Sequence, residues 1–365
     1  MAGGVNYSIF DNLLVSLFFL APNMLWKKKE SGSISMDCTI EEVVDKTVRY
    51  SLKAEPIGES ITSPWMTAKP KALIAIKKVL GQAEYRAYEG ANTGGANGIY
   101  WISINSSKGN IIQIENSNVI GRKKFKAVTY EIEKDLVFPL LRGRDVKRWI
   151  ASPSAWQLVA QDPNTRRGYE SKWMEKNCPK TKKYFEEFEK ELKSRPAFKK
   201  FQENSTFWSQ YNVGSYTFST YKVVWKYIAT EMTCAVIAGQ VDKYLEMKLV
   251  IPDCKLMLVP CESENEAHYV CAILNNCISR FIVHSYAVGT QLSTHILQNI
   301  MIPKYDANIS PHQDLSRLSK LCHEKVAAGI DVTDLEEQID ELAAELWGLT
   351  KQELKDIKES LEELR

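Results

Sequence analysis

A glycine-rich stretch, YEGANTGGANGIYWI over Tyr88–Ile102, has the composition of a loop that brings its backbone close to a partner. A phosphate-binding P-loop needs Lys and then Ser or Thr after its last glycine, but alanine and asparagine follow Gly95. A dinucleotide-binding fingerprint lies between a strand and a helix, whereas this stretch leads from a loop into an apolar strand. Both nucleotide motifs are therefore excluded. The stretch predicts a loop that offers Asn92, Thr93 and Asn97 as hydrogen-bonding side chains, and a glycine-rich turn without a ligand is the alternative.

Two clusters of basic residues are the other candidates for binding chemistry. LLRGRDVKRW (Leu140–Trp149) holds four basic residues around one acidic residue, and GRKKFK (Gly121–Lys126) holds four more. Guanidinium groups suit phosphate oxygens and guanine edges, and aromatic neighbours such as Trp149 and Trp156 give bases or arginine stems a surface to pack on. Solvated surface loops are the alternative. The candidate polyanion-contacting residues are Arg122, Lys123, Lys124, Arg142, Arg144, Lys147 and Arg148.

The sequence contains no catalytic or metal-binding pattern. Enzymes that methylate the amine of adenine or cytosine hold the target base with a [DNS]-P-P-[YFW] loop, and no two prolines are adjacent in this chain. DPNT (Asp162–Thr165) begins like that motif but lacks the second proline and the aromatic residue. A glycine-rich loop for S-adenosylmethionine after an N-terminal strand is also missing. The eight cysteines form no C-x-x-C pair and the five histidines are dispersed, which favours free buried thiols and structural imidazoles over a zinc site.

The charge distribution separates the middle of the chain from its end. The formal net charge is only +2, but residues 121–230 contain 23 Lys and Arg against 12 Asp and Glu, whereas residues 331–365 contain 4 against 12. This contrast indicates a polyanion-binding body with a separate helical appendage, although solvated surface charge gives part of it. With 365 residues, of which 44% are hydrophobic, the chain is long enough for two or three cores.

Short strands and amphipathic helices have to position these residues. A helix is predicted over Ser63–Gly81, four strands over residues 98–141, a basic helix over Pro179–Arg195 and core strands over residues 221–228 and 234–239. Residues 266–287 have a helical period, and two or three helices follow residue 311, with capping boxes predicted at Thr333 and Thr350. The pattern predicts an α+β fold with a mixed sheet, flanking helices and a C-terminal helical tail.

The opening of the chain is apolar but does not predict a membrane segment. The apolar run within Asn12–Lys29 is about 15 residues long and is interrupted by Pro22 and Asn23, whereas a spanning helix needs roughly 20 residues. Its lysines follow the apolar run, while those of a signal peptide precede it. We therefore expect a cytoplasmic protein without a membrane partner. Three regions are predicted: an apolar opening and connector at residues 1–62, the main body at 63–310 and the tail at 311–365.

Eight segments between about residues 63 and 360 occur in a characteristic order. They are PWMTAKPKALIAIKKVLG, EGANTGGANGIYWI, FPLLRGRDVKRW, CPKTKKYFEEFEKELKSR, YKVVWKYI, YVCAILNNCISRF, LSTHILQNIMIPKY and IDELAAELWGLTKQELKDIKESL. In this order they resemble the C-terminal target-recognition (specificity) domain of TaqI-like, gamma-class adenine-N6 DNA methyltransferases, including the fused restriction-modification enzymes. Asn276 stands where the family usually has Ser.

The resemblance implies that the chain recognises a sequence in double-stranded DNA for an adenine-N6 methyltransferase or a restriction-modification system. In that interpretation the basic clusters contact phosphates, and Asn92, Thr93 and Asn97 read base edges. Since the family's catalytic and cofactor motifs are absent, we expect no catalytic residue and no cofactor in this chain. S-adenosylmethionine is expected on a methyltransferase domain or subunit that is missing or supplied by a partner, and residues 1–62 resemble the end of such a domain.

Several alternatives stay open from the sequence. The chain is a truncated enzyme, a split enzyme or a stand-alone specificity subunit. Two further classes of function are an autonomous enzyme with an unrecognised site and a protein-interaction module that uses the acidic tail. Metal-dependent turnover would favour the enzyme, and salt-insensitive binding to a protein partner would favour the interaction module.

Overall fold

The computed structural model describes residues 13–15, 23–30, 33–58, 65–117, 124–201, 204–286 and 291–364. The chain forms two compact units, each assembled from separate stretches of sequence. Unit 1 comprises Met1–Leu80, Cys277–Ala287 and Ala344–Arg365, and unit 2 comprises Gly81–Asn276 and Val288–Ala343. The division into regions 1–62, 63–310 and 311–365 stays a prediction.

The strands are short and lie mainly in the first three quarters of the chain. In chain order they are β1 (Leu13–Val15), β2 (Asn23–Lys28), β3 (Thr47–Pro56), β4 (Trp65–Ala68), β5 (Tyr88–Glu89), β6 (Trp101–Lys108), β7 (Ile111–Asn116), β8 (Thr129–Glu133), β9 (Val137–Leu141), β10 (Val146–Lys147), β11 (Ile150–Ala151), β12 (Ala155–Leu158), β13 (Gln161–Asp162), β14 (Arg167–Gly168), β15 (Tyr221–Lys226), β16 (Cys234–Ile237), β17 (Gln240–Asp242), β18 (Glu246–Lys248), β19 (Ile251–Pro252) and β20 (Leu256–Cys261).

The longest helices lie near the end of the chain. The helices are α1 (Ile40–Lys46), α2 (Pro70–Ile76), α3 (Asn97–Tyr100), α4 (Ser171–Asn177), α5 (Pro179–Glu186), α6 (Glu189–Lys193), α7 (Pro196–Phe201), α8 (Glu264–Asn275), α9 (Cys277–Tyr286), α10 (Ser310–Ala327), α11 (Thr333–Leu346) and α12 (Lys351–Leu364).

Unit 1 is built on an antiparallel sheet with the strand order β1-β2-β3-β4. Helix α12 packs against α2 and α9, and both of those helices contact β4. The helix predicted over Ser63–Gly81 is wrong in its first part, where β4 lies, because Pro70 begins α2 and holds Lys69 in an extended conformation. The capping box predicted for the last helix is confirmed by reciprocal hydrogen bonds between Thr350 and Glu353.

The larger sheet of unit 2 has the strand order β19-β9-β12-β6-β7-β8, in which β19 is parallel to β9 and the other neighbours are antiparallel. Its buried face shares a core with α4, α5 and α6. The helix predicted over Pro179–Arg195 is interrupted between α5 and α6, because the buried Phe188 turns into this core with its ring 5.4 Å from that of Tyr184. The predicted strands between residues 98 and 141 are confirmed as β6 to β9, except that residues 97–100 form the single turn α3.

The smaller sheet of unit 2 has the antiparallel order β16-β15-β20-β5. Helix α8 packs on this sheet and α10 packs on α8. The single helical period predicted over residues 266–287 is divided at Asn276, whose backbone is extended with ψ 161°. The capping position predicted at Thr333 is also wrong, since α11 already includes Thr333 and the carboxylate of Asp331 accepts its N–H.

The mixed sheet of unit 2 and the helices α10 to α12 confirm the predicted α+β class with a C-terminal helical tail. Across the described ranges, no helix is both long enough and apolar enough to cross a membrane.

Candidate nucleic-acid interface

The glycine-rich loop follows β5 and lies against the turn that joins β19 to β20. Ala91 donates its N–H to the carbonyl of Pro252 at 2.8 Å. Gly90 is required for this approach, because a Cβ at that position would lie 2.2 Å from the carbonyl oxygen of Asp253. The loop is therefore a close backbone crossing, and it leads through α3 into β6.

The side chains of the loop are mostly engaged with one another. Asn92 accepts the N–H of Gly94 at 2.9 Å and donates to Glu89 at 3.3 Å. Thr93 is buried, and its hydroxyl donates to Oδ1 of Asn97. Within the residues that the structure describes, Nδ2 of Asn97 has no partner. The three predicted base-contacting residues are thus neighbours, and their contact with base edges stays a prediction.

Arg195 holds the loop from inside unit 2. It is 1% exposed, and its guanidinium donates to four carbonyl oxygens at 2.7 to 2.9 Å, those of Leu192, Thr93, Phe207 and Ser209. A buried cation is tolerated only when its donors are satisfied, and here carbonyl dipoles satisfy them. From the sequence, Arg195 was predicted only as the last residue of a helix. Its contact with the loop was not predicted, because Thr93 is distant in the chain.

The basic turn after β9 is closed by an internal ion pair. Arg142 is buried, its Nε lies 3.4 Å from Oδ2 of Asp145, and its guanidinium also donates to the hydroxyl of Ser154. Asp145 accepts the backbone N–H of Arg142 at 2.9 Å as well. The charge of Arg142 is therefore neutralised within the turn, and its contact with phosphate stays a prediction.

The other three residues of this cluster differ in exposure. The side chain of Arg144 is 70% exposed, although its Nε lies 3.9 Å from Oδ1 of Asp145, and Lys147 is exposed in β10. Arg148 is 22% exposed, its Nε lies 2.9 Å from a carboxylate oxygen of Glu336 in α11, and it donates to the carbonyl of Asn275. Arg144 and Lys147 consequently face solvent, whereas Arg148 links β10 to two helices.

The second predicted basic cluster is only partly within the described residues. Arg122 and Lys123 lie outside them. Lys124 is exposed. Phosphate contact by all three residues stays a prediction.

The turn between β19 and β20 brings the glycine-rich loop and the basic turn together. Asp253 donates its N–H to the carbonyl of Leu141 at 2.9 Å, directly before the basic turn, and its own carbonyl faces Gly90. The backbone of Gly143 lies beside Lys255, since a Cβ on Gly143 would be 3.7 Å from Cβ of Lys255. Two loops that are about fifty residues apart in sequence thus meet at one junction of strands. We call the residues Glu89, Asn92, Asn97, Arg144 and Lys255 the loop–turn surface.

The loop–turn surface contains the carboxylate of Glu89, and the buried carboxylate of Asp253 lies close to Lys255 in sequence. Burial raises the pKa of Glu89, whose oxygens accept from Asn92 and Asn212. Burial also raises the pKa of Asp253 to about 6. Lys255 is exposed between these two groups. Lys255 could not be predicted from the sequence, because a single lysine after a buried strand gives no cluster signal. Only the pairing of β19 with β9 places it beside Gly143 in the basic turn.

The DPNT segment forms a hairpin turn. Asp162 accepts the N–H of Asn164 at 2.9 Å, so its carboxylate organises the turn between β13 and β14. The turn borders a pocket of about 560 Å³ that also contains the stacked rings of Tyr169 and Trp173, 3.8 Å apart. Over the described parts of the chain, no group of three or more His, Cys, Asp and Glu side chains is placed to hold a metal ion.

Comparison with known proteins gives weak structural likenesses. No family model and no curated protein matches the chain. The chain is similar in structure to the type IIL restriction-modification enzyme MmeI in complex with DNA, with a TM-score of 0.46 and 8% identity over 94% of this chain and 41% of that chain. It is also similar to the type IIG restriction endonuclease BpuSI, with a TM-score of 0.35 and 15% identity over 64% of this chain and 26% of that chain. The chain spans less than half of either enzyme, and at TM-scores below 0.5 neither likeness carries an argument about function.

Proposed function

We propose that this chain is a sequence-specific recognition module for double-stranded DNA, working with an adenine-N6 DNA methyltransferase or a restriction-modification system of the TaqI-like kind. The observation that carries the proposal is the loop–turn surface, where backbone contacts join the three segments that carry its amide side chains and exposed cations. Phosphate contacts fix the register of a protein on DNA and base-edge contacts read the sequence, so a recognition surface needs both kinds of group.

The geometry supports a division of roles on this surface. Arg144 and Lys255 contact backbone phosphates, because their charges are exposed beside the loop. Asn97 offers Nδ2 to an acceptor on a base edge, while Thr93 holds Oδ1 of the same amide and so fixes its orientation. Asn92 shapes the loop through Gly94 and reaches DNA through its second amide hydrogen.

Catalysis and S-adenosylmethionine belong to a methyltransferase domain or subunit that acts with this chain. The sequence contains no Pro-Pro loop to hold a target amine. The purified chain with S-adenosylmethionine and mixed-sequence duplex DNA is therefore expected to transfer no methyl groups, as measured with a labelled methyl donor. Incorporation of label into adenine would contradict this assignment and favour an autonomous enzyme.

Selection from a pool of randomised duplexes tests the recognition role. We expect one recurring sequence to be enriched at moderate salt. Asn97→Ala should then reduce the preference for this sequence over other duplexes by about 1–3 kcal/mol, with non-specific binding nearly unchanged. Asn265→Ala, an exposed asparagine on α8, is the matched control. A pool without enrichment would reject sequence-specific recognition, and equal losses on all duplexes would reject base reading by Asn97.

A further inference from the structure

Two arginines outside the predicted clusters lie on a stacked pair of tyrosines. The rings of Tyr88 and Tyr216 are 3.9 Å apart with planes 8° from parallel. The guanidinium carbon of Arg86 lies 5.2 Å from the centre of the Tyr88 ring, and that of Arg166 lies 5.8 Å from the centre of the Tyr216 ring. Each tyrosine covers one face of the other, so the guanidinium groups lie over the outer faces. We call these four residues the arginine–tyrosine stack.

Both tyrosines are fixed by the core that supports the basic turn. Tyr88 belongs to β5, and Tyr216 belongs to a short 3-10 helix, Ser215–Phe218. Both rings pack against the small core that contains Leu141 and Val146, the residues on either side of the basic turn. The arginine–tyrosine stack and the loop–turn surface are therefore supported by the same buried residues.

The backbone also holds Arg166 in place. Arg166 lies in the turn between β13 and β14 with a left-handed φ of 57°. Gly214 allows the close packing, because a Cβ there would lie 3.2 Å from Nε of Arg166 and 2.9 Å from the ring of Tyr216. The guanidinium of Arg166 is thus oriented before any partner binds.

The charges of this stack are not neutralised by acidic side chains. Over the described ranges, no carboxylate oxygen lies within the 4.0 Å of an ion pair from Arg86 or Arg166. Glu89 follows Tyr88 closely, but its oxygens accept from two asparagines. Both arginines are exposed. An aromatic face orients a guanidinium without cancelling its charge, so the stack presents two oriented positive charges to solvent.

We propose that Arg86 and Arg166 form a further phosphate-binding site for the backbone of duplex DNA, beside the loop–turn surface. A guanidinium fork donates paired hydrogen bonds to phosphate oxygens, and one that is already oriented loses less side-chain entropy on binding. The inference rests on the proposed function, which supplies the duplex.

The salt dependence of duplex binding tests this site. Arg86→Gln and Arg166→Gln should each make the plot of log Kobs against log salt shallower by about 0.9, the value for one neutralised phosphate. Arg49→Gln is the matched control, because Arg49 is an exposed arginine in unit 1 whose guanidinium lies 5.4 Å from the ring centre of Trp26. The control should leave the slope unchanged.

The tyrosines give a second readout. Tyr88→Leu combined with Tyr216→Leu keeps both charges and removes the platform, so affinity at one fixed salt concentration should fall severalfold while the slope is largely kept. A purely structural stack predicts instead that both arginine variants bind with the wild-type affinity and slope, and that result would overturn the inference. If the wild-type chain binds no duplex at all, the proposed function fails first, and the two failures are thereby distinguished.

Discussion

The basic turn and the arginine–tyrosine stack hold arginines in opposite ways. Arg142 and Arg148 come from a dense basic cluster, yet each lies against a carboxylate, Asp145 or Glu336. Arg86 and Arg166 lie outside both basic clusters, yet they are exposed on aromatic rings. A cluster of basic residues therefore measures how much positive charge a segment contains, whereas the partners of each residue decide how much of that charge reaches solvent.

Mutations of the enclosed and the exposed arginines should therefore affect different properties, stability and polyanion binding respectively. An enclosed arginine and its carboxylate contribute to stability together, since removing one partner leaves a buried charge. An exposed arginine on a ring contributes little to folding and is available to a polyanion. The two regions can accordingly be distinguished by measuring stability and binding on the same variants.

Removing the carboxylate of the basic turn should have the largest effect. Asp145→Ala leaves the buried guanidinium of Arg142 without its ion pair, and we expect the free energy of unfolding to fall by about 3–5 kcal/mol. Urea unfolding measures this loss. Arg144→Ala is the control, because its side chain is 70% exposed and surface substitutions usually change stability by less than about 0.5 kcal/mol. Equal free energies of unfolding for the two variants would contradict the proposed difference between enclosed and exposed arginines.

Lys222, like Arg195, is a buried basic residue that, in the described part of the chain, is held by backbone carbonyl groups and not by a carboxylate. It is fully buried in β15, donates to the carbonyl of Ser219, and burial lowers its pKa to about 7. The unfolded chain binds more protons than the folded chain between about pH 7 and pH 10, so the free energy of unfolding should rise with pH across this window.

Lys222→Met tests this titration. Below about pH 7 the wild-type lysine is charged in the folded state, and the variant should be more stable than wild type by on the order of a few kcal/mol at pH 6. The advantage should shrink toward pH 10, where the wild-type amine is neutral when folded. Urea unfolding at both pH values gives the comparison, and a constant difference between the two proteins would contradict the assignment.

A smaller effect is expected at the glycine-rich loop. Thr93→Val keeps the shape of a buried side chain and removes the hydroxyl that fixes Asn97. We expect about 1 kcal/mol of lost stability, typical of one hydrogen bond, and part of the discrimination that Asn97→Ala loses on the selected duplex. If Thr93→Val discriminates between duplexes as well as the wild type does, the buried hydroxyl does not contribute to recognition.

Local patterns in the sequence predicted most elements and part of the site. The alternation of apolar residues identified β7, β8 and β9, whereas the ion pair between Arg142 and Asp145 was not predicted. Breaks in helices were missed, because the extended backbone at Asn276 has no proline or glycine to mark it. Lys255, Arg195 and the arginine–tyrosine stack were missed because each depends on contacts between segments that are distant in sequence.

The most direct test of the central claim is the salt dependence of duplex binding by a chain that lacks the exposed cations of the loop–turn surface. Arg144→Gln combined with Lys255→Gln should make the plot of log Kobs against log salt shallower by about two units. The control, Arg317→Gln combined with Lys320→Gln, removes the same net charge from α10, outside the loop–turn surface. We expect a shallower slope in the first pair and the wild-type slope in the control. Equal slopes in all three proteins would contradict DNA recognition by this surface.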